Sequence, residues 1–365
     1  MKRIEVFYHD QKVGELAAAG NQTSFQFAPN FIQTGTQLSP LTMKLRSEPY
    51  VYSDLEFDYL PPLLSDSLPD SYGRSVMIRW FSQKFGDQYR PSELDKLAYV
   101  GQGGIGALTY RPMLDAFPAE IVREMDLRQE QKLATSFVGQ HPPELLEKLR
   151  RAIHTVGGRF PKALVTLDHN TGLLYEDDPR LDPRFERWIV KFGIPAHERD
   201  SLLNYPEIEY AYSCMARDAG IHISRTRLLT TCDKEANLVH FAIERFDVAG
   251  GRRLHVASLS ALTGVPAGRL ELDYRDLLST TLELCRDLRE VRQAFLRMVF
   301  NVVMHNVDDH GKNHAFVFDG NNWKLSPAYD LTFSDASAPG EHSLVSVPFA
   351  SGKQSVVEPP ANSVN

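Results

Sequence analysis

The sequence predicts an α+β protein of two lobes, preceded by a β-rich amino-terminal subdomain. Three observations predict it. Strand-like alternation and turn residues dominate the opening of the chain, short apolar runs separated by turns recur from Ala163 to Phe246, and apolar residues at steps of three and four begin at Leu284. At 365 residues, 42% hydrophobic and 24% charged, the chain can bury large cores without disulfide staples. Its three cysteines, Cys214, Cys232 and Cys285, lack paired metal spacing and suit a reducing, cytoplasmic setting. No run approaches the roughly 18 apolar residues of a membrane span, and no signal peptide is visible, so no membrane partner is expected. A net charge of -7 gives no general pull toward nucleic acid, so DNA contact would run through a partner.

Residues 1–112 read as one module. Ile4–Tyr8 and Val13–Leu16 form a hairpin about His9-Asp10-Gln11, and Asp70 or Ser71 is placed to cap a helix through Val76, Ile78 and Trp80. The glycine-rich Gly101–Leu108 closes the module, with no basic residue or helix start to make it a phosphate cradle. Residues 113–250 begin with charged linker helices. There Ala163–Leu167, a turn at Asp168–Gly172 and Leu173–Tyr175 make a hairpin, and Trp188–Phe192 makes another strand. Asn204, Pro206 and Gly220 bracket a helix. Leu238–Phe246 reads as a buried strand returning through Gly250-Gly251 toward Leu254–Val256. Residues 251–336 are expected to be a helical catalytic region. Leu284, Leu288, Val291, Phe295, Met298 and Val302 predict one long helix with its apolar stripe in a core, and His314–Phe318 pairs with Trp323–Leu325. Residues 337–365 carry no apolar period and predict a disordered tail.

The densest chemistry follows the long helix, in His305-Asn306-Val307-Asp308-Asp309-His310-Gly311-Lys312-Asn313-His314, with Tyr329-Asp330 beyond it. A D-x-x-x-x-N loop lets Asp308 and Asn313 face one site, Asp308 to orient an attacking hydroxyl and Asn313 and Asp330 to hold magnesium through hard oxygens. Lys191 at a strand end reaches phosphates, and Glu209 on the next helix fixes it; taken alone, each is more often a surface charge. Thr155–Lys162, with Gly157 and Gly158, is a loop whose amides approach phosphate oxygens, although it is no Walker A sequence. These parts in this order suit phosphoryl transfer. A competing reading has His305, His310 and His314 bind a transition metal for hydrolysis, but their spacing matches no known ligand set.

As a set, these residues resemble the HipA family of toxin serine/threonine kinases. Val13-Gly14-Glu15-Leu16, Leu63 to Ser71 and Gly106-Ala107-Leu108 are similar to that family's amino-terminal subdomain. Thr155-Val156-Gly157-Gly158 to Lys162 looks like its phosphate loop, Glu244-Arg245-Phe246-Asp247 its hinge, and Asp308–Asn313 with Tyr329-Asp330 its catalytic and metal motifs. The resemblance implies a two-lobed protein-kinase-like fold using ATP and Mg2+. It implies that Asp308 is catalytic, with His310 and Lys312 in the same loop, and that Asn313 and Asp330 are metal ligands. Val156, Gly157, Gly158, Lys162 and Lys191 would serve the phosphates, Glu244 and Phe246 the adenine through backbone groups, and Thr155 would be the autophosphorylated residue where serine is more familiar. It further implies a small helix-turn-helix antitoxin as partner, DNA contact through that antitoxin, and a protein substrate such as an aminoacyl-tRNA synthetase. Family members continue into further helices, so the carboxy-terminal lobe is expected to be incomplete here. That leaves a catalytically impaired, antitoxin-binding pseudokinase as the alternative.

Overall fold

The computed structural model describes residues 3–114, 124–135, 161–177, 185–194, 204–232, 237–267, 271–334 and 344. It is a mixed α/β protein with four sheets among those residues. β1 (Arg3–Tyr8), β2 (Gln11–Ala19), β3 (Gln22–Phe27), β4 (Tyr50–Tyr52) and β5 (Leu108–Arg111) make the first sheet, in the order β4-β3-β2-β1-β5. The β1–β2 turn is tight because His9 takes φ 53, a left-handed conformation that turns a hairpin in two residues. Alternate residues of these strands, among them Ile4, Val6, Leu16 and Phe25, face inward.

β6 (Lys162–Asp168), β7 (Leu174–Glu176), β8 (Phe185–Lys191), β9 (Thr226–Cys232) and β10 (Asn237–Glu244) form the second sheet, β7-β6-β8-β10-β9. The hairpin expected around Asp168–Gly172 is present. The return expected through Gly250-Gly251 is present as well, but it does not run along β10: Val248–Ala249 (β11) and Arg252–Arg253 (β12) make their own two-stranded ribbon. The next strand, β13 (His255–Ser258), instead pairs with β14 (Ala315–Phe318), which pairs with β15 (Trp323–Leu325). Two consecutive glycines at positive φ, Gly250 and Gly251, turn the ribbon too tightly to carry the chain back along β10.

The long apolar helix is also corrected. It is two helices, Tyr274–Cys285 and Leu288–Val303, broken where Arg286 adopts φ 54 and Asp287 caps the second through the Arg289 amide at 2.8 Å. The predicted stripe meets the core only in part: Leu284 and Met298 pack against it, whereas Leu288 is 74% exposed, Phe295 49% and Val302 55%. The buried face carries Ala294, Arg297, Phe300 and Asn301 instead.

One apolar core runs from Ile4, Phe25 and Leu64 through Tyr110 to Leu259, Leu277, Phe316, Leu325 and Leu344, so the amino-terminal subdomain and the carboxy-terminal helices share an interior. Polar links reinforce that junction. Asp66 accepts from the Ser258 amide and hydroxyl at 2.7 and 2.8 Å, His255 Nε2 donates to Leu38 O at 2.8 Å, and the Gly106 amide donates to Asp247 at 2.8 Å. The glycine-rich loop thereby has a structural use, since the carbonyls of Gln102 and Gly104 also receive the Arg253 guanidinium. Among the described residues, no helix is long and apolar enough to cross a membrane.

Candidate active site

The site begins with strand register. β6 and β8 run antiparallel with Lys162 opposite Lys191, and directly opposed residues project from the same face of a sheet. The helix Tyr205–Asp218 brings Glu209 to that face. Lys191 Nζ donates to Glu209 Oε1 at 2.5 Å and to Asp330 Oδ1. Burial opposes the charge on Lys191, but Asp330 and Glu209 outweigh it and raise its pKa. Burial likewise opposes the charge on Asp330, and Lys191 with Lys162 pulls its pKa down to about 2. Lys162 goes the other way: burial, then the neighbouring Lys191 charge, lowers it to about 8 against the pull of Asp330, Glu209 and Asp70. Glu209 is pushed up by burial, against the pull of Lys191. The result is a buried cluster of alternating sign, with the geometry to present two ammonium groups to an anion.

The loop after Val303 is organised by a residue the sequence did not single out. Asn306, 1% exposed, donates through Nδ2 to Asn301 Oδ1 at 3.0 Å and to Asp330 O at 3.3 Å, and its Oδ1 accepts from the Asp308 amide at 3.4 Å. One buried amide thus ties the Asp308 backbone to the Asp330 backbone. Asn313 Nδ2 closes the loop on Asp308 O at 2.7 Å, which leaves the Asp308 side chain exposed. Asp330 itself takes φ 52, a backbone turn that brings its carboxylate to Lys191. Asp309 points the other way, buried against the Tyr274 hydroxyl, which also accepts from Asn301 Nδ2 at 3.0 Å. Gly311 packs so closely that a Cβ there would lie 2.8 Å from Leu272 Cδ1.

Lys312 is held at both ends. Tyr329 Oη donates to its carbonyl at 2.7 Å, and its Nζ donates to Asp70 Oδ1 at 2.7 Å, across 242 residues of sequence. Tyr329 also stacks on Phe246, ring centroids 5.7 Å apart, which joins the end of β10 to the loop. Glu244 ends β10 with its carboxylate gripped by Arg225 through two bonds of 2.7 Å, and its amide is spent on Arg225 O, so its carbonyl is the backbone group left to offer a ligand.

The structure therefore gathers Lys162, Lys191, Glu209 and Asp330, and links the last of these to Asp308, Lys312 and Asn313 through Asn306 and Tyr329. Thr155, Val156, Gly157 and Gly158 lie outside the described residues. His310 is half-buried and its Nδ1 meets no hydrogen-bond partner among the described residues. His305 is exposed while His314 is buried, and the described residues contain no group of three or more histidines, cysteines and acids able to hold a metal ion. Asn313 and Asp330 supply two hard oxygen donors, the number with which Mg2+ is commonly bound while it keeps its waters.

Residues 154–357 match the family model of the HipA-like C-terminal domain, and residues 4–111 match that of the HipA N-terminal domain. Among solved structures, the chain is similar to a Shewanella oneidensis MR-1 protein from a toxin antitoxin system complex of HipA, HipB and operator DNA. The TM-score is 0.65 at 18% identity, over 94% of this chain and 79% of that one, a likeness of fold. No curated protein matches the chain.

Proposed function

The chain belongs to the HipA family, and from that premise we propose that it is an ATP- and magnesium-dependent protein serine/threonine kinase, the toxin of a toxin–antitoxin pair. The observation that carries the reading is Lys191 set between Glu209 and Asp330 with Lys162 beside it. Such a cluster is costly to bury and is useful when a polyanion arrives to take up the positive charge. In this reading the chain is a two-lobed kinase-like fold. Residues 113–250 contribute the nucleotide-binding lobe, residues 251–336 the catalytic helices and loop, and residues 1–112 an added subdomain.

Lys162 and Lys191 bind the ATP phosphates, while the Glu244 carbonyl and the Phe246 backbone meet the adenine. Asn313 and Asp330 would hold Mg2+, which when bound would supply positive charge beside the transferring phosphoryl group. Asp308, exposed at the mouth, orients the acceptor hydroxyl and takes its proton. The acceptor oxygen bonds to the γ-phosphorus as the bond to the β–γ bridging oxygen breaks, and ADP leaves. Thr155 is the proposed internal acceptor, and a translation component such as an aminoacyl-tRNA synthetase the external one. The Shewanella complex holds HipB and operator DNA with its HipA, which supports a small helix-turn-helix antitoxin as partner, with DNA reached through it in the cytoplasm.

Incubation with γ-labelled ATP and magnesium tests the reading. Label in the parent that disappears in Asp308→Ala supports it, and a parent that neither takes label nor binds ATP sinks it. Label that survives in Thr155→Ala moves the internal acceptor elsewhere.

A further inference from the structure

The helix Ser71–Phe85 starts with an acid in its capping position that does not cap. Asp70 has the extended backbone of an N-cap, φ -90 and ψ 171, and its carbonyl accepts from the Arg74 amide at 3.0 Å, yet its carboxylate makes no bond to the helix amides. It reaches Lys312 Nζ at 2.7 Å instead. The other charges nearby are already committed. Arg74 is bound to Asp58 through two contacts of 3.1 and 2.6 Å, and Asp66, whose charge also favours the Lys312 ammonium, gives its hydrogen bonds to Ser258. Asp70 is thus the acid of the amino-terminal subdomain that bonds the loop directly, and Lys312, four residues after Asp308, is what it receives. With the Lys312 carbonyl held by Tyr329, the ammonium is the end of this residue that a second part of the chain must fix.

We infer that Asp70 is a positioning residue of the active site, supplied by the amino-terminal subdomain to hold the Lys312 ammonium beside the transferring phosphate. The assignment of a phosphate to Lys312 rests on the kinase reading; the attachment itself does not. A mobile lysine in this loop would spend its freedom each time the reacting geometry formed, and a fixed one would not.

The test compares the full chain with Asp70→Ser, Asp70→Glu and Lys312→Gln. Serine is a good N-cap without charge, so Asp70→Ser keeps the helix start and removes only the tether. Amine-selective labelling followed by mass spectrometry should find Lys312 modified several-fold faster in Asp70→Ser, with Lys12 unchanged. In the phosphate-transfer assay, kcat should fall roughly tenfold with KM for ATP nearly constant, and Asp70→Glu should recover part of it, as for loss of a group acting mainly in the transition state. Equal Lys312 labelling in parent and Asp70→Ser overturns the inference. So does an unchanged kcat in Asp70→Ser when Lys312→Gln is crippled. Faster Lys312 labelling in Asp70→Ser, in a protein whose parent transfers no phosphate, would uphold the attachment and remove the kinase reading.

Discussion

Asp247→Asn should be among the most damaging single substitutions in this protein that leave side-chain volume nearly unchanged. The Asp247 carboxylate is 1% exposed and accepts from Arg245 Nε at 2.9 Å, Arg245 Nη2 at 2.8 Å and the Gly106 amide at 2.8 Å. A second cation, Arg253, lies close enough to help hold its pKa down against the opposing effect of burial. Asparagine keeps the shape and loses the charge. Arg245, 6% exposed, then retains Asp177 at 3.1 Å as its remaining acid partner, and Arg253 loses a counter-charge. Breaking a buried pair by neutralising one member costs about 3–5 kcal/mol. Against a total stability of about 5–15 kcal/mol, that is a large fraction. Urea unfolding followed by tryptophan fluorescence measures it. The midpoint should fall sharply with an unchanged slope, while Arg3→Ala, which removes an ion pair whose arginine side chain is 75% exposed, should not move it. A cost of less than about 1 kcal/mol would refute the view that this ion pair joins the glycine-rich loop to the end of β10.

Other perturbations test other parts of the fold. His240 and His255 are fully buried, and burial lowers each to about 4, below the ordinary histidine value of about 6.5. The unfolded chain therefore takes up protons first, and stability should fall from about pH 6.5 down to about 4, by up to about 1.4 kcal/mol per pH unit for each histidine. Urea midpoints at pH 7 and pH 5 read this, and His255→Gln should make the pH dependence shallower; an unaltered slope contradicts it. Phe300→Ala should cost about 3–5 kcal/mol, whereas Leu288→Lys on the same helix should stay within about 0.5 kcal/mol. Equal costs would contradict this assignment of buried and exposed faces. Asn306→Ala strands Asn301 Oδ1 and an Asp330 carbonyl contact, so it should lose about 1–3 kcal/mol and cut phosphate transfer at least about tenfold. Unchanged transfer would show that Asn306 does not align the two acids.

What could be read from sequence followed from how local each signal is. Lys191 at a strand end, Glu209 on the following helix and the Asp308–Asn313 loop are short patterns whose parts sit within a few residues of their structural cause. Asp70 or Ser71 also reads locally as a helix cap, and Asp70 does take the N-cap position, but its carboxylate goes to a partner 242 residues away, which nothing in a capping motif reports. The helical stripe holds only in part, for another reason. Periodicity shows that one face is apolar without showing whether anything covers it, and the pattern ran unbroken across Arg286, where the backbone turns left-handed. Buried Arg297 and Asn301 gave no hydrophobic signal, though they face the interior that Leu288 and Val302 do not. A clue to Asn306 was present in the chain: an amide two residues ahead of the Asp308 it holds.

The shared interior has a consequence for how the protein is made. Ile4 and Leu344 belong to the same core, and the candidate site draws on three distant stretches, around Asp70, around Lys191 and from Lys312 to Asp330. Contacts of such sequence separation close late, after the entropy of long loops has been overcome. A ribosome that has delivered the amino-terminal sheet has delivered Asp70 and none of Lys191, Lys312 and Asp330. A chain whose synthesis stops ahead of Asp330 lacks a side chain that the Lys191 cluster contains. The cluster therefore closes only once the returning acid has followed its lysine by 139 residues.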